Sequence, residues 1–345
     1  MKYTSIRPGE EWRDTNGELI QAHGGAMIYV DGKYYWYGEN KEKSIREKDI
    51  WHWGVRLYSS EDLYNWTDEG LIIEPDLEDL DSPVHPKSKM DRPHIIYNEK
   101  TKKFVMWIKI MGTRLDPYMQ YMVVATADSI KGPFTFVNKM LHPCGMSCGD
   151  FDLFVEDGKG YLICERVHSE MLIIDLTDDF LDVTANYTVH FPRKCPPFVR
   201  EAPAVFKKDG LYYMFTSGTT GKFPNPSEVA VCDSLHGQWK ELGNPHIGNH
   251  KNTSFDSQIS CVFKVAGTDK FIAMADRWLM DLPEDMPDIL DIFECMFDPD
   301  KENKYEGFDV NSLTVKNTSI ARYVWLPVEF EDGKPVLKWV DEFTV

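Results

Sequence analysis

Five short polar clusters, each preceding one of five similar apolar runs, hold the residues of this chain that could do chemistry. They read Ala22-His23-Gly24-Gly25, Asp91-Arg92, Asp150 with Asp152, Arg200-Glu201, and Asp256-Ser257-Gln258. Aligning the apolar runs brings the clusters to one register within a single residue. Three carboxylates at that register, Asp91, Asp150 and Glu201, would then share one pocket. Like charges held close raise one another's pKa. A carboxylic acid can be kept protonated near neutral pH in this way, ready to act as a general acid. Arg92 and Arg200 are the cations beside them, and pairing as structural ion pairs is the competing expectation.

A pocket of carboxylates rimmed by Trp and Tyr suits a sugar, whose hydroxyls want acceptors and whose C–H faces want rings. Hydrolysing a glycoside also needs two groups flanking the scissile bond. The chain has no GxGxxG, P-loop or HExxH motif and no GxSxG elbow. Cofactor chemistry and acyl transfer are therefore disfavoured, and no cofactor is expected. His85, His94, His168 and His246 lack metal-ligand spacing, and the CxxxC of Cys144 and Cys148 has no second pair. No metal site is expected on these grounds. Trp51 and Trp53 flank His52 and are candidates for stacking on sugar at the rim; Glu165 and Asp116 are further possible pocket acids.

The elements that must position these groups are short strands. An apolar strand, a tight polar turn and an aromatic-rich strand recur at 26–38, 94–108, 153–164, 204–217 and, most weakly, 261–274. Several of the turns are Asp-Gly, the chemistry of two-residue hairpins. A second strand–turn unit follows four of them, at 55–66, 121–134, 171–183 and 228–239. Two hairpins make a four-stranded antiparallel sheet, and five such sheets make an all-β, five-bladed β-propeller. The first strand of each blade lines the central channel, where a structural cation is compatible with the pattern. Residues 1–22 should pack across one face or complete the ring, and 322–330 and 335–343 read as closing strands. The stretch at about 279–318 reads as an acidic insertion in blade five, partly helical. One catalytic domain over 1–345 is expected, without a separate carbohydrate-binding module.

Composition narrows the partners. The 38 Lys+Arg against 56 Asp+Glu leave a net charge of −18, which argues against nucleic acid and against anionic membranes. Hydrophobic residues at 42% permit a large core, and the 13% aromatics should serve mainly strand packing. The acidic runs 74–81 and 281–288 read as solvated loops. The first residues show no signal-peptide pattern, and the seven scattered cysteines suit a reduced, cytoplasmic protein.

The segments PGEEWRDTNGELIQAHGG (8–25), YWYGENK (35–41), DRPHIIYN (91–98), GDFDLFVEDGKGYLI (149–163), REAPAVF (200–206), SGTTG (217–221), FDSQIS (255–260) and ADRW (275–278) carry a resemblance. The chain resembles glycoside hydrolase family 43, in its exo-β-1,3-galactanase branch. The resemblance implies a five-bladed propeller that hydrolyses glycosides with inversion. It implies Glu201 as general acid and Asp150 as the modulator of its pKa. The family's usual base, an Asp opening blade one, is replaced here by Gly24 with His23 beside it. The branch also lacks that Asp, and its Gln, here Gln258, holds the nucleophilic water. Asp91, Arg92, His23, Glu39, Thr220 and Trp53 are the expected substrate-binding residues. Two departures stand out. Asp91 occupies the place of a Glu, and Lys222 that of a Trp after the SGTTG motif. The implied substrate is β-1,3-linked galactose in an oligosaccharide. A galactofuranosidase or arabinofuranosidase of the same family, and a non-catalytic sugar-binding propeller, are the alternatives.

Overall fold

The computed structural model describes residues 2–45, 49–112, 119–314 and 317–345. Four blades are four-stranded antiparallel sheets that follow the chain in order. Blade one comprises β1 (His23–Val30), β2 (Lys33–Glu39), β3 (Val55–Ser60) and β4 (Thr67–Ile73). Blade two comprises β5 (Met90–Asn98), β6 (Lys103–Met111), β7 (Gln120–Ala127) and β8 (Thr135–Leu141). Blade three comprises β9 (Cys148–Glu156), β10 (Lys159–Arg166), β11 (Glu170–Leu176) and β12 (Val183–His190). Blade four comprises β13 (Arg200–Lys208), β14 (Leu211–Gly218), β15 (Glu228–Cys232) and β16 (Lys240–Gly243). The inner strands β1, β5, β9 and β13 and blade five's β18 (Gln258–Lys264) contact one another in a closed ring. The expected five-bladed propeller is the observed fold. The fourth strands begin at or beyond the ends of the second strand–turn units seen in the sequence.

Local chemistry explains the hairpins. Asp31 and Gly32 have φ of 49° and 82°, and Asp157-Gly158 and Asp209-Gly210 repeat the pattern at 50°, 75°, 51° and 81°. Two positive φ values in succession define the turn whose twist matches the flanking strands, and Asp-Gly tolerates them best.

Blade five is built differently. Its sheet is ordered β17 (His246–Ile247), β22 (Lys334–Lys338), β21 (Leu326–Glu331), β19 (Phe271–Arg277), β18, with β20 (Arg322–Tyr323) also pairing with β19. The outermost strand β17 pairs with β22 in parallel. The C-terminal strands thus complete a sheet whose inner half lies some fifty residues earlier. The chain ends then fasten blade five to blade one. Ile6 bridges Phe343, the Val345 amide donates to Tyr64 Oη at 2.8 Å, and Tyr3 N donates to Asn65 at 2.8 Å. Trp36 sits at this seam, fully buried, with Trp12, Trp66, Tyr323 and Trp325 around it at centroid distances of 4.6–6.0 Å. The aromatic excess mostly serves this packing.

The insertion leaves β19 after Trp278 and carries helix α1 (Ile289–Phe297). Asp288 caps it by accepting from the Asp291 amide, and Ile289, Ile292 and Cys295 form its buried stripe. The insertion spans one face of the ring. Thr318 N donates to Ser44 O of blade one at 3.2 Å, Asp298 pairs with Lys194 at 2.6 Å, and Phe297 packs on His168 of blade three at 5.3 Å. Runs 74–81 and 281–288 are mostly exposed, as acidic loops should be.

Candidate active site

All five inner strands carry one extra residue near their start, opposite β2, β6, β10, β14 and β19 respectively. A bulge of this kind re-aims the side chains next to it. In blades one, two and four the bulged residue is left-handed: Gly24 (φ 57°), Arg92 (φ 51°) and Ala202 (φ 51°). Left-handed backbone is costly for residues with a Cβ, and such positions cluster at functional sites. The shared bulge makes His23, Asp91 and Glu201 equivalent, and Gly24, Arg92 and Ala202 equivalent.

Arg92 organises the middle of the site. Its Nε meets Asp150 Oδ2 at 2.8 Å, its Nη2 donates to Gln258 Oε1 at 2.7 Å, and its backbone amide donates to Glu39 Oε1 at 3.0 Å. Because a guanidinium only donates, the amide oxygen of Gln258 must face it. The Gln258 nitrogen then donates to Glu201 Oε1 at 3.0 Å and to Ser217 Oγ at 2.8 Å. Lys109 Nζ lies 2.5 Å from Asp150 and 3.4 Å from Asp91, and Trp51 Nε1 donates to Asp91 at 2.7 Å.

The electrostatics separate the acids. Burial, then the charges of Asp150 and Glu165, push Glu201 well above the usual carboxyl range. Asp150 itself is held low: burial opposes its ionisation, but Arg92 and Lys109 overcome that. Asp91 is likewise kept ionised against burial by Lys109 and Lys41. Burial raises Glu39 and Glu165 to about 7 each. Such a site offers a protonated carboxylic acid beside fixed anions, fixed cations and a neutral amide.

The family model described as Glycosyl hydrolases family 43 matches residues 21–272, which include every one of these groups. The chain belongs to glycosyl hydrolase family 43. Members of this family cleave glycosides with inversion. Two solved family 43 β-1,3-galactosidases are each 31% identical to this member. BT0265 superposes with a TM-score of 0.79 over 100% of the chain, which spans 64% of that protein's length. BT3683, solved with galactodeoxynojirimycin, superposes with a TM-score of 0.78 over 99% of this chain and 100% of its own. An exo-β-1,3-galactanase from Clostridium thermocellum is 27% identical, with a TM-score of 0.73 over 99% of this chain and 66% of its own. No curated protein is significantly similar in sequence.

In this family 43 chain Glu201, Asp150, Gln258, Asp91, Arg92 and Glu39 form one contiguous cluster. Three other expected site residues do not face it. His23 is fully buried, with Nδ1 2.9 Å from Asp276 and Nε2 3.2 Å from the Tyr323 hydroxyl. Both ring nitrogens are committed, and burial lowers the pKa, so neither is available to a sugar or a water. Thr220 is equally buried and spends its hydroxyl within its own loop, donating to Phe223 O at 2.6 Å and accepting from Asn225 at 2.7 Å. Trp53 is covered by Lys43, whose Nζ lies 3.4 Å from the ring centroid. Its neighbour Trp51 is the ring that meets the cluster. Arg200 turns away as well, to Glu228 at 3.4 Å and Thr216. Asp116 lies outside the described residues.

Gly24 explains the missing base. A Cβ there would sit 2.5 Å from Glu39 Oε1, and the positive φ adds strain. Glu39 fills the space into which an Asp at position 24 would project, and it is held there by Lys41 Nζ at 2.5 Å. Lys109 was not legible as a partner of the acids in the sequence, since it sits near the end of a second strand within an apolar run; Glu165, a possible pocket acid whose direction the sequence did not fix, lies close enough to Asp150 and Glu201 for their charges to interact. Gly149 offered a late clue: a Cβ on it would meet Glu165 Oε2 at 2.3 Å. Among the described residues no group of three or more His, Cys, Asp or Glu is placed to hold a metal ion.

Proposed function

We propose that the chain is an exo-acting hydrolase of β-1,3-linked galactose, working on galactan ends or galacto-oligosaccharides. The observation that carries this reading is the Glu201–Gln258–Arg92–Asp150 chain of contacts, on a scaffold shared with two β-1,3-galactosidases. Glu201 is the general acid. Its proton is retained by burial and by the charges of Asp150 and Glu165, and it goes to the departing glycosidic oxygen. Asp150 acts through its field rather than by contact, since its own oxygens are taken by Arg92 and Lys109. Gln258 positions the water. Its amide is a poor base, and its oxygen, already accepting from Arg92, has one lone pair left for a water on the side away from Glu201. An inverting enzyme needs about 6.5–9.5 Å between acid and water-holding group, so the direct 3.0 Å contact of Gln258 with Glu201 has to open as the sugar enters, with the water held at the oxygen end of the amide. Asp91, Glu39 and Arg92 take the sugar hydroxyls.

The test is product analysis on β-1,3-galactobiose, with the anomer of the released galactose read by NMR. Hydrolysis with inversion in the native enzyme, slowed by about 10²–10⁴-fold in Glu201→Gln, is expected. Cleavage of aryl galactofuranosides or arabinofuranosides instead would replace the substrate. Binding of galactose without turnover of any glycoside would make this a sugar-binding propeller.

A further inference from the structure

Lys222 stands where the galactanase branch carries a Trp; Lys41 lies over the same two indoles, at 4.9 and 5.9 Å, but what separates Lys222 from the other cations nearby is the lack of a carboxylate partner. Lys41 pairs with Glu39, and Lys109 and Arg92 pair with Asp150. Lys222 makes no ion pair among the described residues. Its ammonium instead lies between two indoles, 4.7 Å from the Trp51 ring centroid and 4.2 Å from that of Trp278. Cation–π contacts of this kind offset only part of the cost of taking an ammonium out of water. Burial first, then the Lys41 charge, pull Lys222 down to about 8, so it remains a cation at pH 7.

The charge balance of the pocket points the same way. Lys41, Arg92, Lys109 and Lys222 face only two carboxylates that are held ionised, Asp91 and Asp150. Glu39, raised to about 7, stays paired with Lys41, and burial raises Glu201, so Lys222 is the cation left without a carboxylate partner among the described residues, inside a protein whose net charge is −18. Arg92 Nη1 is buried and has no hydrogen-bond partner among the described residues. A neutral galactoside would leave this charge uncompensated.

We propose that Lys222, between Trp51 and Trp278, forms a subsite for an anionic substituent on the terminal sugar, a carboxylate or a sulfate ester. The substrate class is then an acidic galacto-oligosaccharide, a refinement that rests on the hydrolase reading above. The indoles hold the ammonium in place, and its N–H groups supply the charge-assisted hydrogen bond that the anion needs.

Calorimetric titration of the full chain at pH 7 with galactose, galacturonate and galactose 6-sulfate tests this without requiring turnover. At least one acid should bind about tenfold or more tighter than galactose, the size of a charge-assisted hydrogen bond. The one that does identifies the anion. Lys222→Met should abolish the preference and Lys222→Arg should retain it. Equal affinity for all three sugars in the native protein, or a preference that survives in Lys222→Met, overturns the proposal. The native comparison stands even if a variant fails to fold. Cleavage of neutral β-1,3-galactobiose without any acidic preference removes only this subsite. Acidic preference without cleavage of any glycoside removes the hydrolase reading and leaves the subsite.

Discussion

The same five strands line both ends of the central channel, yet the two ends are chemically unlike. At their starts, bulges turn Asp91, Arg92, Glu201 and their neighbours into one charged cluster. A few residues later the strands are regular, and they enclose a cavity of about 980 Å3 lined by Ile95, Val205, Cys261 and Tyr37 among others. A buried polar pair there holds blades together. His94 Nδ1 lies 3.1 Å from Asp152 Oδ1, and Asp152 Oδ2 accepts from the Val205 amide at 2.7 Å. Asp150 and Asp152 are two residues apart on one strand. The first faces cations beside an acid with a displaced pKa; the second ties blade three to blades two and four. Regular pleating alone would point both to the same side, so position along the channel, set by the bulge, decides which acid does chemistry.

The largest expected effect falls at the charged end. Glu201→Gln should lower kcat on β-1,3-galactobiose by about 10²–10⁴, the usual worth of a positioned general acid, with folding unchanged by circular dichroism. Loss of that size from Asp152→Asn instead would erase the contrast between the ends. Asp152→Ala should act on stability. It strands the Val205 amide and His94, and an unmatched buried donor costs about 1–3 kcal/mol. The expected result is a lower denaturation midpoint with kcat per folded molecule retained.

Asp150→Asn sharpens the comparison through pH. Glu201 must be protonated to work, and the Asp150 charge helps keep it so. Removing that charge, while freeing Arg92 and Lys109 to act as uncompensated cations, lowers the Glu201 pKa. The alkaline limb of the kcat profile should therefore move to lower pH, by about one unit or more. A shift to higher pH would mean that Asp150 acts by some other route. The smallest pair of effects separates the two tryptophans. Trp51→Ala removes a hydrogen bond to Asp91 and should cost about tenfold in kcat/KM. Trp53→Ala, a half-buried ring stacked under Lys43 rather than bonded to the acids, should leave kcat/KM within about twofold.

Much of the architecture is legible in the chain. Alternating aromatic strands and Asp-Gly turns specify the hairpins locally, because a two-residue turn with two positive φ values admits few other residues. Aligned apolar runs also placed Asp91, Asp150, Glu201 and Gln258 at one register, and the structure joins them. Lys109 was hidden, and the direction of Glu165 was not fixed, because their spacing from the acids, across a hairpin turn of variable length, has no fixed period. Thr220, His23 and Trp53 failed as pocket residues for a related reason. A motif position shows that a side chain is near the site, but not which way it points or what already satisfies it.

The sequence by itself therefore determined the number of blades, the order of the strands in the first four and the four groups that open them, since each follows from local pattern repeated at one register. Tertiary structure alone decided the protonation states and the occupants. Glu201 keeps its proton only because burial and two other acids surround it. Gly24 excludes an aspartate only because Glu39 already fills the space. Lys222 has no ion-pair partner among the described residues, because the loop after β14 and the start of the blade five insertion bring it against two indoles instead. Charge and volume act through space, over a few ångströms, between residues that the chain keeps far apart.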